Sequence, residues 1–102
     1  MMITLRQLEF ALAVAKHKHF KRAAEECNIS QSALSLGIAE LEKQLDTQIF
    51  ERNNKQVLIT PIGKEILERS QKIFSDINDL NALAHSHQAP LAYPMTIGII
   101  PT

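Results

Sequence analysis

Gln31, Ser32, Ser35 and Leu36 fall within six residues at the head of an apolar-periodic run. Their chemistry suits the reading of base edges. A Gln31 carboxamide can bond adenine N6 and N7 together, Ser32 and Ser35 can serve a base or a phosphate, and Leu36 can lie against a thymine methyl. Helix starts use the same residue types for capping, so composition alone leaves both readings open. Basic residues accompany this set. Lys16, Lys18, Lys21 and Arg22 lie within seven residues that contain no acid. Arg52, Asn53, Asn54 and Lys55 form a second polar, basic spot that suits phosphates or a minor groove, or else a solvated hairpin tip. Thr60 and Arg6 each stand near a predicted helix start, where a hydroxyl, a guanidinium or the helix N-terminus itself can meet a phosphate.

Other reactive types point elsewhere. Cys27 falls on an apolar stripe and reads as a small core residue, not a redox centre. His17 with His19, and His85 with His87, make two HxH pairs. A metal site needs further ligands, and no Cys or acidic cluster accompanies either pair. His85 and His87 near a helix C-terminus gain from the helix dipole. The three glycines are scattered at 37, 63 and 98, so there is no phosphate-binding glycine loop, and no nucleophile–base pair can be argued. Neither enzymatic chemistry, a cofactor nor a metal is expected.

The 102 residues are 45% hydrophobic, with no Trp, four Phe and one Tyr, so the core must be mainly aliphatic. Eleven basic residues balance eleven acidic ones. Bulk charge therefore does not drive binding, and any attraction to nucleic acid must be local. Acids gather at Glu25, Glu26, Glu40, Glu42 and Asp46, so a surface can be positive on one side although the sum is neutral. One cysteine excludes an intramolecular disulfide and fits a reducing compartment. The N-terminal MMITLRQLEF lacks the pattern of a secretory signal, and no run reaches the ~18 apolar residues of a membrane span. A cytoplasmic, membrane-free protein is expected.

These residues need elements to hold them. Thr4 to Lys16 reads as a helix with Leu5, Leu8, Ala11, Leu12 and Ala15 inside, and Thr4 with Gln7 forms a capping-box pattern. After the polar KHKH link, Phe20, Ala23, Ala24 and Cys27 line one face of a short helix. Asn28 and Ile29 interrupt it, and Ser30 can cap the next helix through the backbone of Ser32 or Ala33. That helix buries Leu34, Ile38, Leu41 and Leu45. Small residues at Ala23, Ala24 and Ala33 let the pair pack closely. The result is a helix-turn-helix, in which Lys21 and Arg22 open the helix that crosses the DNA backbone and Gln31 opens the helix that enters the major groove.

Ile49-Phe50 and Val57-Leu58-Ile59 favour strands, with the 52–55 tip between them: a two-stranded wing that must pack on the helices. Thr60 and Pro61 then start a long helix. Ile62, Ile66, Ile73, Ile77, Leu80 and Ala84 follow a heptad-like stripe with a small polar gap at Ser70, while Leu67 and Phe74 lie beside it. Through about His87 this helix spans ~40 Å, more apolar surface than the preceding domain can cover. A homodimer through Ile66, Ile73, Ile77, Leu80 and Ala84, parallel or antiparallel, is the expectation. Residues 88–94, with two prolines, read as an extended hinge, and 95–102 as the first strand of a further domain absent from this chain.

In this order, RQLEF, HFKRAAEECNISQSALS, LEKQL, FER and ITPIG resemble the LysR-type transcriptional regulators over essentially the whole chain. HKHFKRAA with the terminal IGIIPT is most similar to their peroxide-sensing OxyR branch. The resemblance implies a mainly α fold: a winged helix-turn-helix DNA-binding domain over 1–60 and a linker helix for dimerisation over 61–87. It also implies an effector domain like a periplasmic binding protein, which holds the redox-active cysteines and to whose pocket Thr102 would belong. Tetramers of the full-length protein would bind two adjacent DNA sites. The expected function is sequence-specific transcription regulation on double-stranded DNA at a dyad-symmetric promoter site, with half-sites about one helical turn apart, and without peroxide response in this chain. Many relatives carry basic or long polar side chains where this sequence has Leu36, Gly37 and Ala39. Gly37 costs ~1 kcal/mol against Ala in a helix, so it should permit a close approach, to phosphate or to another helix. Two other readings stay open: a dimeric protein-interaction module using the long helix, and a metal-sensing winged helix using the HxH pairs.

Overall fold

Each of the first three helices starts on a side-chain cap and stops on a left-handed residue. The computed structural model describes residues 2–52 and 56–88. Helix α1 is Leu5–His17, α2 Phe20–Cys27, α3 Gln31–Leu45 and α4 Pro61–Gln88, with strands β1 (Phe50–Arg52) and β2 (Val57–Ile59) before α4. The Thr4 hydroxyl accepts from the Gln7 amide at 3.1 Å, and the Gln7 side chain accepts from the Thr4 amide at 2.9 Å, completing the box. His19 Nδ1 accepts from the Arg22 amide at 3.3 Å. Ser30 Oγ accepts from the Ala33 amide at 3.1 Å. At the other ends, Lys18, Asn28 and Asp46 take φ of 51°, 59° and 51°. Asn and Asp visit this region readily, whereas Lys18 adopts it at a steric cost.

The chain divides into two compact units, Met1–Gln71 and from Lys72 onward. In the first, α1 packs on both α2 and α3, and α2 packs on α3. Leu34, Ile38, Leu41, Ile49 and Val14 are 0% exposed. Each buried aliphatic side chain of this kind contributes roughly 1.5–3 kcal/mol. Because α1 has two neighbours, its buried set is wider than one stripe. Leu8 and Ala11 are buried as expected, but so are Phe10, Ala13 and Val14, whereas Leu5 is 48% exposed. Ala23 and Ala24 of α2 are buried, whereas Ala33, expected to share in the close packing of the pair, is exposed.

The wing is antiparallel, pairing Phe50 with Ile59, Glu51 with Leu58 and Arg52 with Val57. Two strands are marginal alone, and here side chains fasten them. Glu42 Oε2 on α3 accepts from the amides of Ile49 at 2.7 Å and Phe50 at 3.1 Å. Thr60 closes the far end: its amide donates to Ile49 O at 2.9 Å and its hydroxyl to Gln48 O at 2.6 Å. That hydroxyl also accepts from the Gly63 amide at 2.9 Å, capping α4. A Cβ on Gly63 would collide with the Ile49 carbonyl oxygen and lie 2.9 Å from Ile49 Cα. Glycine is needed there for space.

Within the first unit, α4 buries Gly63, Leu67 and Ser70. Ser70 Oγ donates to Ile66 O at 2.8 Å, so its burial strands no donor. The expected apolar stripe is a neighbouring one: Ile62 is 47% and Ile73 39% exposed, and in the second unit Leu80 is 65% and Leu83 56% exposed. Ile66, Phe74 and Ile77 are half-buried and Ala84 exposed. The helix continues through Gln88, one residue into the expected hinge. The rest of that hinge, the 95–102 strand with Thr102, and the side chain of His87 lie outside the described residues.

Candidate nucleic-acid interface

Helix α3 is two-sided. Leu34, Ile38 and Leu41 are 0% exposed, and Leu45 is half-buried. On the other side Gln31 and Ser32 are exposed, Ser35 is half-buried, and Leu36 is 71% exposed. With Ser30 committed to the cap, the first turns of α3 offer to solvent an amide, two hydroxyls and the apolar side chains of Ala33 and Leu36. Gly37, next along, turns inward. A Cβ there would sit 2.7 and 2.8 Å from Phe10 Cδ2 and Cε2. The close approach that its sequence position demands is thus to α1, not to phosphate.

The basic candidates separate into free and committed groups. Lys21 and Arg22 are exposed at the start of α2. Arg52 is exposed on β1, and its guanidinium lies 4.2 Å from the Phe20 ring centroid. Arg6 is committed: it donates to Glu9 at 2.7 Å and to the Cys27 carbonyl at 3.0 Å, and it stands 4.9 Å from the Phe10 centroid. These partners satisfy the C-terminus of α2, which gives Arg6 an architectural task. The Thr60 hydroxyl is likewise spent on Gln48, Ile49 and Gly63. Asn53, Asn54 and Lys55 lie outside the described residues.

Lys16 and His17 meet Glu26 at 3.3 and 2.6 Å, joining α1 to α2. The bond from His17, then that from Lys16, holds the Glu26 carboxyl below its ordinary value. Burial pushes the Cys27 thiol up, which keeps it in the unreactive thiol form. His19 serves as a cap, and His85 Nδ1 lies 2.7 Å from the Asn81 carbonyl. Among the described residues, no three His, Cys, Asp or Glu side chains come together to hold a metal, and no helix is long and apolar enough to cross a membrane.

Sequence reasoning missed Phe10, Glu42 and the Arg52–Phe20 pair. The aromatic ring in RQLEF and the acid in LEKQL stood in plain view, but their partners are distant in the chain.

A helix pair with a tight turn at 28–30, an outward face on its second helix and a two-stranded wing define a winged helix-turn-helix domain. The family model described as bacterial regulatory helix-turn-helix protein, lysR family, matches residues 5–64, and the chain belongs to that family. It is 34% identical over 100 residues to the DNA-binding transcriptional dual regulator OxyR of Escherichia coli K12, covering 98% of this chain and 33% of that protein. A hydrogen peroxide-inducible genes activator of Pectobacterium carotovorum is 35% identical over 100 residues, with the same 98% and 33% coverage. The chain therefore spans 33% of the length of these relatives. Full-length OxyR from Pseudomonas aeruginosa matches with a TM-score of 0.77 at 38% identity, covering 82% of this chain and 28% of that one. The BenM DNA-binding domain, solved with benA site 1 DNA, matches with a TM-score of 0.81 at 28% identity, covering 86% and 99%. Family and fold together give the matched residues 5–64 the winged helix-turn-helix DNA-binding fold of LysR-type transcription regulators.

Proposed function

We propose that this chain binds double-stranded DNA sequence-specifically for an OxyR-like regulator, with α3 in the major groove. The observation that carries the proposal is the division of α3 between a fully buried anchor (Leu34, Ile38, Leu41) and an outward face of Gln31, Ser32, Ser35 and Leu36. Gln31 bonds an adenine edge, and Leu36 lies against a thymine methyl. Lys21, Arg22 and Arg52 take phosphates and set the register, together with Asn53, Asn54 and Lys55 of the wing tip. Arg6 and Thr60 hold the frame. The partner's reading head comes from a homodimer through Ile66, Ile73, Ile77, Leu80 and Ala84, so the preferred site has dyad symmetry. The relatives' peroxide response suggests an oxidative-stress regulator that works in the cytoplasm as a larger assembly. The chain itself has no enzymatic role and no cofactor. Its DNA binding does not respond to peroxide, since Cys27 is buried.

Fluorescence anisotropy against a labelled duplex, repeated across salt concentrations, tests this. Binding through several phosphates weakens steeply with salt, by a log–log slope of about −0.9 per contact. A flat response would favour the reading in which the long helix is a protein-interaction surface.

A further inference from the structure

We infer that Phe10 is a positioning residue that sets the seating of α3, with Gly37 as its complementary gap. The inference rests on the DNA-reading role proposed for α3. Gly37 lies in mid-helix, where glycine is unfavourable relative to alanine. No described glycine takes a positive φ, so backbone conformation does not require it. Space does. The Phe10 ring occupies the volume that any Cβ at residue 37 would need, at 2.7 and 2.8 Å, inside the ~3.5 Å at which carbon atoms rest in contact.

The ring has little room to retreat. Phe10 is 9% exposed, and the Arg6 guanidinium stands over it at 4.9 Å. Arg6 is itself tied to the Cys27 carbonyl at 3.0 Å and to Glu9 at 2.7 Å. One small cluster therefore touches α1, the end of α2 and the middle of α3. Gly37 directly follows Leu36, which is 71% exposed. Any displacement of α3 at Gly37 moves Leu36, Ser35 and Gln31 with it, whereas Lys21 and Arg22 stand on α2, a separate helix. The seating thus governs discrimination between sequences more than attraction to DNA as such.

The test starts with the 102-residue chain selecting a duplex from a random-sequence pool; affinities are then measured for that duplex and a scrambled one. Gly37→Ala should weaken binding to the selected duplex by about tenfold or more, the cost of a spoiled base contact, and leave the scrambled duplex within about twofold, because phosphate contacts persist. Phe10→Leu placed in the same chain should restore most of the lost preference. Retained preference in Gly37→Ala, or no restoration by Phe10→Leu, overturns the inference while leaving DNA reading intact. Equal losses on both duplexes also overturn it. Failure of the wild-type chain to select any sequence overturns the DNA reading, and this inference with it. If Gly37→Ala does not fold by circular dichroism, the double variant decides: folded and selective supports the fit between the two residues, unfolded or unselective refutes it.

Discussion

The Arg52 guanidinium lies 4.2 Å from the centroid of the Phe20 ring, joining the wing to the first residue of α2. Phe20 is 8% exposed, so the ring is fixed and Arg52 stacks on a firm surface. Such a contact contributes ~0.5–1 kcal/mol at an exposed site. A double-mutant cycle of Arg52→Gln and Phe20→Leu, read by urea unfolding, should give a coupling energy of that size. Strict additivity would mean that the stack contributes nothing.

Glu42 is the wing's other tether. Its Oε2 accepts from two backbone amides, those of Ile49 and Phe50, at 2.7 and 3.1 Å. Ile49 and Phe50 are 0% and 3% exposed, so water does not readily replace the carboxylate. Glu42→Ala should destabilise the domain by about 1.5–3 kcal/mol, and Glu42→Gln by less, since one acceptor oxygen remains. Thermal melting resolves this, at roughly 4–8 °C per kcal/mol for a domain of this size.

Acid should loosen the α1–α2 junction. His17 first, and Lys16 second, lower the Glu26 carboxyl from its ordinary 4.5. A carboxylate lowered on folding adds stability above its unfolded value and loses it as pH falls through its folded value. The wild-type stability curve should therefore drop below about pH 4.5 more steeply than that of Glu26→Gln. Parallel curves for the two proteins would remove Glu26 from the account of acid sensitivity.

Self-association should fail when the exposed stripe is charged. Leu80 is 65% exposed in the single chain. Burying it across a dimer contributes up to roughly 1.5–3 kcal/mol per protomer. Leu80→Asp should raise the dimer Kd at least about tenfold in sedimentation equilibrium, with little change in the helix content of the monomer. An unchanged Kd would place the dimer contact elsewhere.

The elements were readable wherever one chemical pattern repeats locally. Thr4 with Gln7, Ser30 before Leu34, Ile38 and Leu41, and Thr60 before Pro61 mark helix starts by rules that span three or four residues. Exposure of Gln31, Ser32 and Leu36 follows from the same periodicity, because burying one face of α3 leaves the other outside. What could not be read is pairwise and distant. Arg6 looks like a free cation until the α2 C-terminus, 21 residues away, is brought to it. Thr60 offers a hydroxyl in sequence and none to spare in the fold. Gly37 announces a close approach without naming Phe10 as its partner. The buried set of α1 departs from its periodic stripe because nothing local tells a helix that it will have two neighbours.

Gln31 carries the heaviest part of the proposal, since its exposed carboxamide is the group on α3 that can bond a base edge through two hydrogen bonds. Wild-type and Gln31→Ala chains should be titrated against the selected duplex and a set of its single-base-pair variants. Gln31→Ala should lose ~1–3 kcal/mol of preference at one base pair and keep its preferences elsewhere. Affinity and preference both unchanged at every position would contradict the assignment of α3 as the reading helix.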